Sequence, residues 1–167
     1  MIRSFGKSAV AALAAAGALF LVAQDAAGAT AAEQERNRTL VSQGFDAWAA
    51  GTGSPYDLLA DDASWTITGH SLAAKTYASK DAFIAEVIRP FNARLRERLV
   101  PTVRHLYVDG DTVIAFFDAK GVATDGVAYA NTYAWFLRMR DGRIVEAHAF
   151  FDSIAFDAFW RRVTPGK

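Results

Sequence analysis

The chain has 167 residues, 18 Lys and Arg balanced by 18 Asp and Glu, and a hydrophobic fraction of 52% that includes four Trp and twelve Phe. That content excludes a disordered polymer, and charges of both signs scattered without a basic stripe exclude a nucleic-acid partner. The absence of cysteine excludes disulfides, thiol catalysis and Cys-based zinc sites.

Residues 1–32 read as a cleaved signal peptide, followed by one domain over residues 33–167. Arg3 and Lys7 form a positive start, residues 8–24 carry no charge, and small-x-small sites follow at Ala27-Gly28-Ala29 and Thr30-Ala31-Ala32. An uncleaved anchor is the alternative, but the Ala-rich run of about 17 residues is short for a span. A buried core helix fits less well, because the run is apolar all round and ends in Glu33-Gln34-Glu35-Arg36. The expected location is therefore periplasmic or secreted, with membrane contact only in transit. The remaining chain, about 135 residues, can bury on the order of two thirds of its unfolded surface around one core.

Leu40, Val41, Phe45 and Trp48 recur at helical spacing and end at Gly51. Ser54-Pro55 reads as a cap and first position of a short helix through Leu58 and Leu59, ended by Asp61-Asp62. Residues 64–68 alternate, with Trp65 and Ile67 on one face. Ser79 caps a third helix whose buried stripe is Phe83, Val87, Phe91 and Leu95, with a kink at Pro90. From Thr102 the period becomes two, giving strands over 102–108, 112–123, 127–140 and 143–151. The intervening Asp109-Gly110-Asp111, Thr124-Asp125-Gly126 and Asp141-Gly142 are hairpin turns. Ser153 is a cap for a last helix carrying Phe156, Phe159 and Trp160. Helices first and a meander afterwards predict an α+β fold with helices on one face of the sheet.

Several short patterns carry a resemblance: Phe45-Asp46-Ala47-Trp48, residues 65–69, Tyr129-Ala130-Asn131-Thr132-Tyr133, Arg140-Asp141-Gly142-Arg143-Ile144 and Phe150-Phe151-Asp152. In this order and spacing the chain resembles the SnoaL-like branch of the ketosteroid-isomerase-like (NTF2-like) superfamily over roughly residues 37–163. The resemblance implies a cone in which N-terminal helices pack on a curved antiparallel sheet over an apolar cavity, and it implies a homodimer. It does not choose a function, since the superfamily hosts isomerases, cyclases, epoxide hydrolases, dehydratases and non-catalytic binders.

Strand parity nominates the cavity residues. One face of the 127–140 strand holds Tyr129, Asn131, Tyr133, Trp135 and Leu137, which suits an apolar pocket with a few polar tips. The alternative is a core face in which the backbone satisfies Asn131. On the last strand Ile144, Glu146, His148, Phe150 and Asp152 oppose Val145, Ala147, Ala149 and Phe151, and the resemblance turns the second set inward. The expected lining is Trp65, Tyr129, Asn131, Tyr133, Trp135 and Phe151. The resemblance places the relatives' acid and base positions near Trp135, Ala149 and Ile67 or Thr68, none of which can exchange a proton. His148 and Asp152 are second-choice catalytic candidates. Their bland readings are a surface or interface histidine and a helix cap. Asp118 reads as solvated or paired with Lys120.

Three His without ligand spacing give no metal signal, and no phosphate loop or Gly-x-Ser-x-Gly is present, so no cofactor is expected. Three functions stay open. One is an exported pocket protein binding a small hydrophobic molecule. Another is an isomerase, cyclase or dehydratase acting on a hydrophobic polycycle, with Asn131 and Tyr133 as donors. The third is an interaction module.

Overall fold

The computed structural model describes residues 29–165, so the expected signal peptide up to Gly28 lies outside the described residues. The first helix, α1 (Ala31–Ala50), begins two residues before the expected boundary at Glu33. The reason is local. The Thr30 hydroxyl accepts from the Glu33 N–H while the Glu33 carboxylate accepts from the Thr30 N–H, a reciprocal capping box. Val41 and Phe45 form its buried stripe, and it ends at Gly51 in the left-handed conformation. Arg98 then donates to the carbonyls of Trp48 and Ala49 in the last turn, both at 2.7 Å.

A 3-10 turn (Pro55–Leu58) follows, and β1 (Leu59–Ile67) begins at once. Asp61 and Asp62 do not end a helix, as expected from sequence, but lie exposed inside β1 beside a register shift. A two-residue strand that the sequence did not signal, β2 (Thr76–Tyr77), pairs with Trp65 and Thr66 of β1.

The third helix is a composite of α2 (Lys80–Phe83), a π-turn (Ile84–Ile88) and α3 (Arg89–Asn92). Ser79 caps it as expected. The widened turn sits just before Pro90, which has no N–H to donate, and the Arg89 N–H reaches back to the Ile84 carbonyl. Leu95 does not continue the buried stripe. It opens β3 (Leu95–Asp109), seven residues earlier than the alternation suggests. Three register shifts against the next strand break the period of two, and Pro101 sits within the strand. An edge strand tolerates both.

The rest is the expected meander of β4 (Thr112–Ala123), β5 (Ala128–Arg140) and β6 (Arg143–Phe151). Asp141 and Gly142 both adopt positive φ, which matches the twist of a two-residue hairpin. One sheet results, in the order β2-β1-β6-β5-β4-β3. Every neighbouring pair is antiparallel except β1 and β6, which run parallel. No hairpin joins those two strands, so nothing forces them to oppose. The α+β cone with helices on a curved sheet is the architecture expected from sequence, with this one parallel pair added.

The bulges of β3 bend the sheet, and Gly121 lets the bent strands approach. A Cβ there would stand 3.0 Å from the Glu97 carbonyl oxygen and 3.2 Å from that of Arg98. A bulge at Val145 also corrects the parity on β6: Ile144 is fully buried, although simple alternation groups it with outward-facing Glu146 and His148. The chain closes with α4 (Ser153–Arg162), whose cap is Asp152 and not Ser153: its carboxylate accepts from the Ile154 and Ala155 N–H groups.

Candidate functional site

Between the concave face of the sheet and the helices lies a cavity of about 510 Å³, a size suited to a drug-sized molecule. Its walls are aromatic. Trp65 stacks on Phe83 at 4.3 Å and meets Trp135 edge-on at 5.0 Å, while Trp48 stacks on Trp135 at 5.9 Å. Tyr56 leans on Trp48, Trp65, Phe83 and Trp135 with centroid distances of 5.6 to 5.9 Å. Tilted and edge-on rings of this kind fix one another's orientation and present apolar faces to the space between them.

Four of the six residues expected to line the cavity do so: Trp65, Tyr133, Trp135 and Phe151. Tyr129 and Asn131 share their strand face and are buried, but they stand behind the lining. Tyr129 is covered by Phe91 and Phe159. The Asn131 side chain is saturated by its surroundings. Its Oδ1 accepts from the Thr132 N–H at 2.8 Å and the Asp152 N–H at 3.0 Å. Its Nδ2 donates to the Asp152 carbonyl and the Tyr129 hydroxyl, both at 3.0 Å. Asn131 therefore clips β5 to the β6–α4 junction and has nothing left to offer a ligand. The Tyr129 hydroxyl in turn lies 3.0 Å from that of Tyr133.

His148 and Asp152 lie outside the cavity lining. His148 is on the outer face, 3.0 Å from Glu146, which also accepts from Arg138. Those two neighbours hold the Glu146 carboxyl below its ordinary range. The Asp152 carboxylate is committed to the α4 cap. Asp118 pairs with Arg104 and accepts from Thr132, where sequence spacing suggested Lys120. Trp135 and Ala149 face each other across β5 and β6, and both line the cavity with Ile67. The positions that the resemblance nominates for an acid or base thus hold an indole, the Ala149 methyl and either Ile67 or Thr68, and of these Trp135, Ala149 and Ile67 line the cavity.

Three ionisable side chains other than tyrosine touch the cavity: Asp57, Lys80 and Arg98. Asp57 and Arg98 are exposed and so belong to its rim. Asp57 accepts from the Ser54 N–H, and Arg98 caps α1. Half-buried Lys80 and Ser54 join the tyrosines Tyr56 and Tyr133 as polar members of the lining. Burial pushes the hydroxyls of Tyr56, Tyr129 and Tyr133 above the ordinary tyrosine range. Tyr56 escaped sequence reasoning. Its neighbours Ser54 and Pro55 marked a helix start, and nothing in a four-residue turn signals which side chain a distant sheet will enclose.

Residues 41–147 match the SnoaL-like domain family, and the chain belongs to that family. Among curated proteins none matches the chain in sequence. Its fold is shared by Bal32a from a soil-derived mobile gene cassette, with TM-score 0.64 and 23% identity over 77% of this chain and 99% of that one. It is similar to a candidate SnoaL-like polyketide cyclase from Jannaschia sp. CCS1, with TM-score 0.62 and 19% identity over 80% and 94% of the two chains. IdmH, a candidate polyketide cyclase from Streptomyces antibioticus, gives TM-score 0.58 and 21% identity over 74% and 96%. At these identities the likeness concerns the fold.

The raised tyrosines set an alkaline limit. The folded state favours their neutral forms, so this stabilisation is complete below pH about 10 and is lost as pH rises beyond it. In an alkaline titration, tyrosinate absorbance from Tyr56, Tyr129 and Tyr133 is expected to appear together with loss of native Trp fluorescence. Ionisation of every tyrosine near pH 10 with the native fluorescence intact would contradict the burial described.

Proposed function

We propose that this SnoaL-like protein is exported and binds a small hydrophobic, ring-containing molecule in its aromatic cavity. The observation that carries the reading is the lining itself: stacked and edge-on Trp, Tyr and Phe side chains around about 510 Å³, with no carboxylate or imidazole among them except rim residue Asp57. Such a surface gains binding energy from apolar burial at about 25 cal/mol per Å². Inside the rim it holds no carboxylate or imidazole with which to abstract a proton next to a carbonyl. A cyclase-type reaction is the second reading, favoured by the candidate polyketide cyclases among the structural neighbours. It requires proton transfer by groups other than those that relatives use.

Export rests on the order of charged start, apolar run and small-x-small sites in residues 1–32. Cleavage after Ala29 would leave the Thr30–Glu33 capping box whole, whereas cleavage after Ala32 would remove Thr30. Homodimerisation rests on the outer sheet face. Ile114, Phe136 and His148 form one row across β4, β5 and β6, and Phe116, Ala134 and Phe150 form the next. Phe136 and Phe150 are exposed and meet edge-on. Ion pairs flank these rows at Arg104–Asp118 and Arg138–Glu146. An apolar centre with a polar rim suits an interface burying about 1,000 Å² or more.

Binding is tested with 1-aminoanthracene, whose emission rises on entering an apolar site. Saturable binding by the wild type is expected, and Ala149→Leu, which pushes methyl groups into the cavity opposite Trp135, should weaken it about tenfold or more. Absence of saturable binding, or equal binding by the variant, would count against the cavity as the site. For export and assembly, protein recovered outside the cytoplasm should begin at Thr30 by mass spectrometry and sediment as a dimer at micromolar concentration. Retention of residues 1–32, or a monomer, would sink the respective reading.

A further inference from the structure

The helical wall of the cavity carries one cation that the fold does not use. Lys80, Phe83, Ile84, Val87, Ile88 and Phe91 all line the cavity. They recur three and four residues apart along the composite helix, so they form its inward stripe. Lys80 begins that stripe at the first position of α2, after the Ser79 cap, and is half-buried. No ion pair among the described residues includes its ammonium. The helix offers none, because the positions three and four residues on are Phe83 and Ile84. Glu86, the carboxylate of the π-turn, is taken by Lys75 from the loop before β2.

The other two charged residues of the lining are built into the connection after α1. The Asp57 carboxylate accepts from the Ser54 N–H at 2.8 Å, and its Oδ2 would stand 3.0 Å from a Cβ on Gly53. Arg98 spends its guanidinium on the Trp48 and Ala49 carbonyls, and its Nε would stand 3.1 Å from a Cβ on Gly51. Both are therefore packed against glycines and have local structural work. Lys80 has none. A cation in the first turn of a helix even meets the positive end of the helix dipole. Such a mismatch with local helix chemistry is the kind that functional positions carry.

We infer that Lys80 recognises an acidic group on the ligand, so that the cavity takes an amphipathic carboxylic acid with its apolar part among the aromatic walls and its carboxylate at the Lys80 end. The inference rests on the ligand-binding reading and adds the charge of the ligand to it. A half-buried ammonium is screened by water less than an exposed one, so it gains more from an anion beside it. Asp57 opposes such a ligand only weakly, because it is exposed and solvent screens its charge. A neutral ligand of the same shape would leave Lys80 without a partner.

The test compares 9-fluorenone-2-carboxylate with 9-fluorenone-2-carboxamide, which share one ring system and outline and differ by a negative charge. Affinity for the intact protein is measured near neutral pH by quenching of Trp fluorescence. The carboxylate should bind about three- to tenfold more tightly, the range for a partly exposed charged contact. That ratio should shrink toward one as salt rises from about 0.02 M to about 0.5 M. Lys80→Gln should bring the ratio close to one at low salt, and Lys80→Arg should keep it.

Equal binding of the two compounds, or tighter binding of the carboxamide, would overturn the assignment and leave the ligand-binding reading standing. A preference that survives in Lys80→Gln, or that salt does not reduce, would overturn it too, since the anion would then be held by something else. Binding of neither compound would overturn both. If a variant fails to fold, the wild-type ratio and its salt dependence still decide.

Discussion

The amide of Asn131 is the constraint around which the rest of the site is arranged. Four hydrogen bonds hold it, three of them to backbone groups whose polarity cannot change. Through them the end of β6 and the cap of α4 are fixed against β5. The helix that begins there sends Phe156 and Phe159 under Phe91 and Tyr129, closing one end of the core. The same amide donates to the Tyr129 hydroxyl, which lies 3.0 Å from that of Tyr133. A buried polar side chain is costly unless satisfied, and a satisfied one specifies a single arrangement. Fold and cavity chemistry meet at this residue.

Around that anchor the cavity is built by packing and not by charge. Of its ionisable side chains other than tyrosine, exposed Asp57 and Arg98 lie at the rim and half-buried Lys80 lines the wall. Asp57 closes a turn, Arg98 completes the C-terminus of α1, and Asp118, Glu146 and His148 belong to the outer face. What remains inside is a set of mutually braced rings and a few neutral hydroxyls. Membership of the SnoaL-like family goes with the cone and its cavity, and Trp135, Ala149 and Ile67 are among the residues that line it. A family fold supplies the space, and the side chains at a few positions determine the chemistry.

The meander was legible in the sequence because Asp-Gly turns and two-residue alternation are local signals, and the β5 face was legible for the same reason. Trp65, Tyr133, Trp135 and Phe151 could be nominated from parity alone. Tyr129 and Asn131 could not be separated from them, because parity gives the face of a strand and not the depth along it. Which part of that face lies open depends on where α3 and α4 come to rest, with Phe91 and Phe159 over Tyr129. The start of β3 was hidden by its bulges and by Pro101, which erase alternation where the sheet bends most. Ile144 was assigned to the wrong face because a single bulge inverts parity. Tyr56 gave no signal, since its role depends on rings brought from α1, β1, α2 and β5.

The central claim is that an aromatic cavity between sheet and helices is where this protein meets its ligand. Three of the four Trp residues, Trp48, Trp65 and Trp135, line that cavity, and Trp160 lies on α4 outside it, against Arg94. The indole N–H resonances in a nitrogen-15 spectrum therefore form a spatial probe with an internal control. On titration with 9-fluorenone the account predicts saturable shifts for Trp48, Trp65 and Trp135 with Trp160 nearly unmoved. Shifts confined to Trp160, or no shift in any indole, would contradict it.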